Sequence, residues 1–162
     1  MEQFLPEFVY GATDGTITTF AIIAGAIGAN LSRTAILAIG IASVLADGYS
    51  MGVSSYLSES ARHEQRESSD TKHTPISSGV VTFVSFVVVG ILPLLPFLVS
   101  HRITSAVKWA SFGLALAAFA GIGYLRGIIM SNTSPFTTSL ESFLIGGSAA
   151  MISYITGSLV GH

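Results

Sequence analysis

In the stretch ASVLADGYSMGVSSY, residues 42 to 56, Asp47 and Met51 stand four residues apart. A helix places such a pair on one face, one above the other. Stepping by three and four adds Ser43, Ser50 and Ser54, so a polar line runs down an otherwise aliphatic segment. Asp14, followed at helical spacing by Thr18, supplies a second carboxylate in the apolar stretch nearest the N-terminus. Carboxylates offer hard oxygen ligands to any divalent cation, whereas a thioether adds little for Mg(II) or Ca(II) and favours softer ions. The set therefore suits Fe(II) first and Mn(II) next. A Met in an apolar helix also serves as packing, and an Asp-Gly pair such as Asp14-Gly15 also serves as a helix start. The small residues Ala21, Gly25 and Gly28 that continue the Asp14 face favour an inward-facing Asp14, while the spacing of Asp47 and Met51 leaves both readings of the Met open. A charged side chain at a bilayer centre costs roughly 2.5 to 3.5 kcal/mol on insertion scales, so these aspartates must face protein, water or an ion. Beyond them, Glu59, His63 and Glu67 fall at i, i+4 and i+8 with Glu64 adjacent. If the helix continues outward this is an oxygen and nitrogen set able to capture metal. The other reading is a solvated helix end laced by Arg62 and Arg66.

Those residues need elements to hold them, and composition says what kind. Half of the 162 residues are hydrophobic and only 10% charged, with a mean hydropathy of +0.68, which describes an integral membrane protein. Five apolar spans are expected, at about 8–31, 34–57, 79–99, 109–125 and 143–160, in a single transmembrane domain. The polar segment 59–78 is a short loop outside the bilayer. The tight turn at 30–33 makes the first two helices antiparallel neighbours. Pro93 and Pro96 should break the third span and free carbonyls for other partners. Gly113, Ala117 and Gly121 form a small-residue row expected to pack on another helix. Near-membrane Lys and Arg are almost evenly divided between the two sides, and the polar 59–78 segment favours a cytoplasmic N-terminus. A formal net charge of -2 without a Lys/Arg-rich block argues against a nucleic-acid partner or a polybasic membrane anchor. Cysteine is absent, which removes disulfides, iron-sulfur clusters and thiolate zinc sites. MEQFLPEF carries no basic residue, so the first span is expected to stay as a helix rather than act as a signal peptide. No Ser/His/Asp set, GxGxxG or HExxH occurs, so an enzyme is not expected.

Four stretches carry a resemblance: VYGATDGTITTFAIIAGAIGANLS at 9–32, LADGYSMGVSSYLS at 45–58, TFVSFVVVGILPLLPFLV at 82–99 and SLESFLIGGSAAMISYITGSLVG at 139–161. Together they resemble the vacuolar iron transporter family, which includes yeast-type vacuolar iron and manganese carriers and nodulin-like plant proteins. The resemblance implies a five-helix homodimer with its path at the subunit interface, exchanging Fe(II) or Mn(II) for protons and so exporting or sequestering metal from the cytosol. Metal is then cargo, and no tightly bound cofactor is implied. By position Asp14 matches the family's pathway aspartate and Met51 its methionine, with Ser43, Ser54 and Thr18 lining the path. This chain departs from the pattern at Ser43, where a glutamate is usual, and at Asp47, where a small residue is usual. The carboxylate has moved one turn along the same face. The segment after the second helix is also far shorter than the family's glutamate-rich metal-binding domain. The expected location is the plasma membrane in a prokaryote, or a vacuolar or other organelle membrane in a eukaryote. The alternatives are a passive divalent-metal channel and a nontransporting membrane assembly protein whose aspartates hydrogen-bond across helices.

Overall fold

Three helix starts in this chain carry a proline in the first turn, where its missing N–H has no intrahelical partner to lose. In the computed structural model, which describes residues 4–65, 74–129 and 134–161, Pro6, Pro75 and Pro135 all lie in first turns. The elements are α1 (Leu5–Gly28), α2 (Arg33–Gln65), α3 (Pro75–Gly90), a 3-10 turn (Leu92–Leu94), α4 (Leu95–Val99), α5 (Ser105–Ile129) and α6 (Pro135–Val160). The described residues are all-helical. Four helical units, α2, α3 with α4, α5 and α6, are each long and apolar enough to cross a membrane. The protein is an integral membrane protein.

Several helices are longer than hydropathy alone suggests. Helix α2 runs on to Gln65, so residues 59–65 of the expected loop are helical, and α3 already begins at Pro75. The Thr74 side chain caps α3 by accepting from the Ser77 N–H. At the other end of α1, Asn30 adopts a left-handed φ of 54° and reverses the chain into α2.

Helix α1, which carries Glu7, Asp14 and four threonines, is the one around which the others assemble. It packs along α3 on one side and α6 on the other, and it also touches α2 and α5. In lipid such packing depends on close backbone approach rather than on hydrophobic exclusion of water. A Cβ on Gly15 would lie 2.5 Å from the Phe86 carbonyl oxygen. Gly79 of α3 meets α2 in the same way, a Cβ there lying 2.7 Å from the Gly52 carbonyl oxygen. One apolar cluster, Ile23, Ile36, Val44, Leu94, Phe97 and Val107, joins α1, α2, α4 and α5 at one end of the bundle. A second, with Phe20, Ala115, Phe119 and Ala150, joins α1, α5 and α6.

The small-residue row of α5 does not do what its spacing suggests. Gly113 and Gly121 have open space where a side chain would point, and Ala117 is exposed, so the row faces outward from the chain. The packing face is instead that of Ala115, Phe119, Ile122 and Gly123, with Gly123 against Ser139 of α6.

The break at Pro93 and Pro96 is present, and its carbonyls find protein partners. Ser111 donates to the Pro93 carbonyl at 2.7 Å. Arg33, the first residue of α2, donates from Nε to the Phe97 carbonyl at 2.7 Å and from Nη2 to the Leu98 carbonyl at 3.1 Å. A guanidinium fork thus closes the C-terminal end of α4. Arg33→Ala should lower stability in detergent by about 1 to 3 kcal/mol, the range for leaving hydrogen-bonding groups unpaired. Arg33→Lys should recover only part, since an ammonium does not reproduce the fork. Unfolding curves for Arg33→Ala that overlay the parent's would show that the clamp contributes nothing.

Candidate functional site

Along α1, Glu7, Asp14, Thr18, Ala21 and Gly25 recur at steps of seven, four, three and four, which keeps them on one side of the helix. Three cavities follow that side. The first, about 400 Å³, is lined by Glu7, Ser54, Ser58, Glu59 and Arg62, and the second, about 560 Å³, by Thr13, Asp14 and Arg126. The third, about 700 Å³, holds Thr18, Gly25, Ser153 and Thr156. Pro6 and Tyr10 line both the first and second, and Ile17 both the second and third. They form a continuous open groove along α1, with carboxylates in its first half and hydroxyls in its second.

Helix α2 contributes two faces. Val44, Gly48 and Gly52 are buried, with Gly48 and Gly52 against α3. Turned away from them are Ser43, Asp47 and Met51, all partly buried, and Ser54, which is exposed. Asp47 lies within electrostatic reach of Asp14 on the neighbouring helix, so a charge on one bears on the other. Two carboxylates held in that way form a place where a divalent cation would relieve mutual repulsion. The sequence-derived set is thus divided: Asp14, Thr18 and Ser54 line the groove, while Ser43, Asp47 and Met51 are outside the cavity walls.

At the outer end of α2, Glu59 gathers its neighbours. Its carboxylate is 3.5 Å from Arg62 Nη1 and 3.5 Å from His63 Nε2, the latter without hydrogen-bond geometry. Glu64 is exposed, and Glu67 lies outside the described residues. Among the described residues no three of His, Asp and Glu converge as a metal cage.

Glu7 is the residue that sequence reasoning missed. Ser78 of α3 donates to its Oε1 at 3.2 Å, while Oε2 is buried with no hydrogen-bond partner among the described residues. The available signal was its position seven residues before Asp14, two turns along the same face, once Pro6 is taken as the first turn of α1.

The sequence pattern that defines the VIT family matches residues 5–74 and 62–158, nearly the whole chain. The chain belongs to the VIT family. The two matched pieces overlap at 62–74, from the last turn of α2 onward. A protein named "Vacuolar iron transporter 1" from Eucalyptus grandis is 24% identical over 212 residues, covering 94% of this chain and 84% of that protein. A "Vacuolar iron transporter" from Plasmodium berghei is 22% identical over 226 residues, covering 98% and 83%. One of the same name from Toxoplasma gondii is 37% identical, but over 79 residues only, 45% of this chain and 26% of that protein. The two longer alignments exceed the 162 residues of this chain, so those VIT proteins carry extra residues within the matched region.

The division of α2 into two faces is open to a direct check, because a chain without cysteine accepts single reporters cleanly. Cysteines replacing Ser43, Asp47, Met51 and Ser54, none of them buried, should react with a membrane-impermeant thiol reagent, the one at position 54 fastest because it alone of the four lines the groove. Val44→Cys, whose parent side chain is 2% exposed, should not. Equal labelling around the helix, or a silent 43/47/51/54 face, would contradict this assignment.

Proposed function

We propose that this chain carries divalent transition-metal ions, Fe(II) first and Mn(II) next, across a membrane in exchange for protons. The observation that carries the reading is the approach of Asp14 and Asp47 from two helices in a bundle with little else charged. Met51, one turn from Asp47, adds a soft ligand that biases the site against Mg(II) and Ca(II). The names of the aligned relatives, vacuolar iron transporters, agree with this cargo.

In this reading the cation enters at the Glu7, Ser54 and Glu59 cavity, passes between the aspartates and leaves past Thr18. The groove is open along its length, and Leu45, Tyr49 and Val53 expose apolar surface on α2. A second copy would supply the missing wall, which makes the working unit a homodimer with the path at the interface. Metal and protons compete for the same carboxylate oxygens, so loading metal releases protons, and unloading it lets them return. Metal affinity then falls as pH falls. Metal moves out of the cytosol if the N-terminus is cytoplasmic. Glu59, His63, Glu64 and Glu67 concentrate cations at the entrance without forming a closed site.

Flux into proteoliposomes at matched protein incorporation tests the reading. Asp47→Asn should reduce Fe(II) flux more than Met51→Ala does. The first deletes charge that offsets cation desolvation, and the second removes one weak ligand and relaxes selectivity. Neutralising the four entrance residues together should raise the half-saturating metal concentration and retain substantial maximal flux. Parental Fe(II) flux in both Asp47→Asn and Asp14→Asn would remove these groups from the path.

A further inference from the structure

We infer that each chain binds one anionic phospholipid in a crevice on the side of the bundle away from the carboxylate entrance. Helices α5 and α6 pack closely near the end of α5 and the start of α6, where Gly123 meets Ser139 and Gly127 meets Pro135. Toward the start of α5 they separate, and α1 forms the floor of the gap. The resulting cavity, about 500 Å³, lies within the range of ligand-sized sites.

Its lining changes character along its length in the sense that an amphiphile requires. Phe20 and Phe112 form the deep part, their ring centroids 5.8 Å apart, and Trp109 continues the aromatic wall with its ring 5.8 Å from Phe112 in an edge-on arrangement. Ser105 and Lys108 lie at the mouth, on the first turn of α5. Trp109 is 70% exposed and Tyr154 50%. Amphipathic rings of this kind concentrate at the headgroup level of a bilayer, which sets the mouth at that depth and the phenylalanines in the acyl region.

Charge selects the occupant. Lys108 is exposed and forms no ion pair among the described residues, and no carboxylate lines the crevice. An ammonium above an aromatic slot matches a phosphate headgroup on an acyl chain, and an additional negative charge on the lipid strengthens the match. Nothing in the metal path requires this site. It stands on the apolar crevice and the unpaired Lys108, independently of the function proposed above.

Trp109 is the chain's single tryptophan, so its fluorescence reports the crevice directly. The probes are brominated phosphatidylglycerol and brominated phosphatidylcholine, each titrated into vesicles holding the intact protein. The parent should show quenching by phosphatidylglycerol about fivefold stronger in apparent affinity, the size expected for one lysine at an anionic headgroup. Lys108→Gln should bring that ratio close to one, and Lys108→Arg should restore it. Lys108 is exposed, so neither change threatens folding. Equal quenching by the two lipids in the parent would mean ordinary bulk lipid and overturn the proposal. So would a preference that survives Lys108→Gln, or one lost equally in Arg102→Gln, because the attraction would then be diffuse surface charge. Displacement of brominated phosphatidylglycerol by oleate at equal concentration would make the ligand a free carboxylate and likewise overturn the phospholipid assignment.

Discussion

The cost of holding carboxylates inside a bilayer governs this architecture. A helix with Glu7, Asp14 and four threonines is a poor neighbour for lipid, and it is placed where four other helices touch it. That arrangement works only if the neighbours come close, because packing in lipid rests on van der Waals contact and hydrogen bonds. Gly15 against the Phe86 carbonyl shows the price in side chains: nothing larger fits. The small residues of α1 are therefore a consequence of its polarity.

The same constraint explains the broken third span. The break in the span and the end of α4 leave carbonyls that lipid cannot satisfy, and the bundle answers with Ser111 on one helix and the Arg33 fork on another. The irregular segment is thereby tied to α2 and α5, and the apolar cluster around Leu94 and Phe97 fills the space beneath it. Polar demand at one place has fixed the relative positions of three helices.

Much of this was legible in the residues, and the failures have two origins. The shared face of Asp47 and Met51 and the break at Pro93 follow from periodicity and from proline's missing N–H. Hydropathy, however, marks where a chain is apolar and not where a helix begins. Pro6, Thr74-Pro75 and Ser134-Pro135 are start signals that move three helix beginnings outward. Recognising the first would have brought Glu7 onto α1, two turns before Asp14. The row Gly113, Ala117 and Gly121 failed for another reason: a small-residue stripe permits close approach but does not say which helix approaches. Among the described residues of this chain none does.

Asp14 and Asp47 come from separate helices, so their approach is a tertiary fact that neither segment could reveal alone. We propose that this pair is where metal and protons compete. Simultaneous recording of metal uptake and internal pH in proteoliposomes, with the membrane voltage clamped, addresses it directly. An acid lumen should accelerate metal movement into the vesicle, and each increment of uptake should be accompanied by loss of luminal protons. Metal uptake insensitive to the imposed pH gradient, with no coupled proton movement, would contradict exchange and leave a passive metal channel.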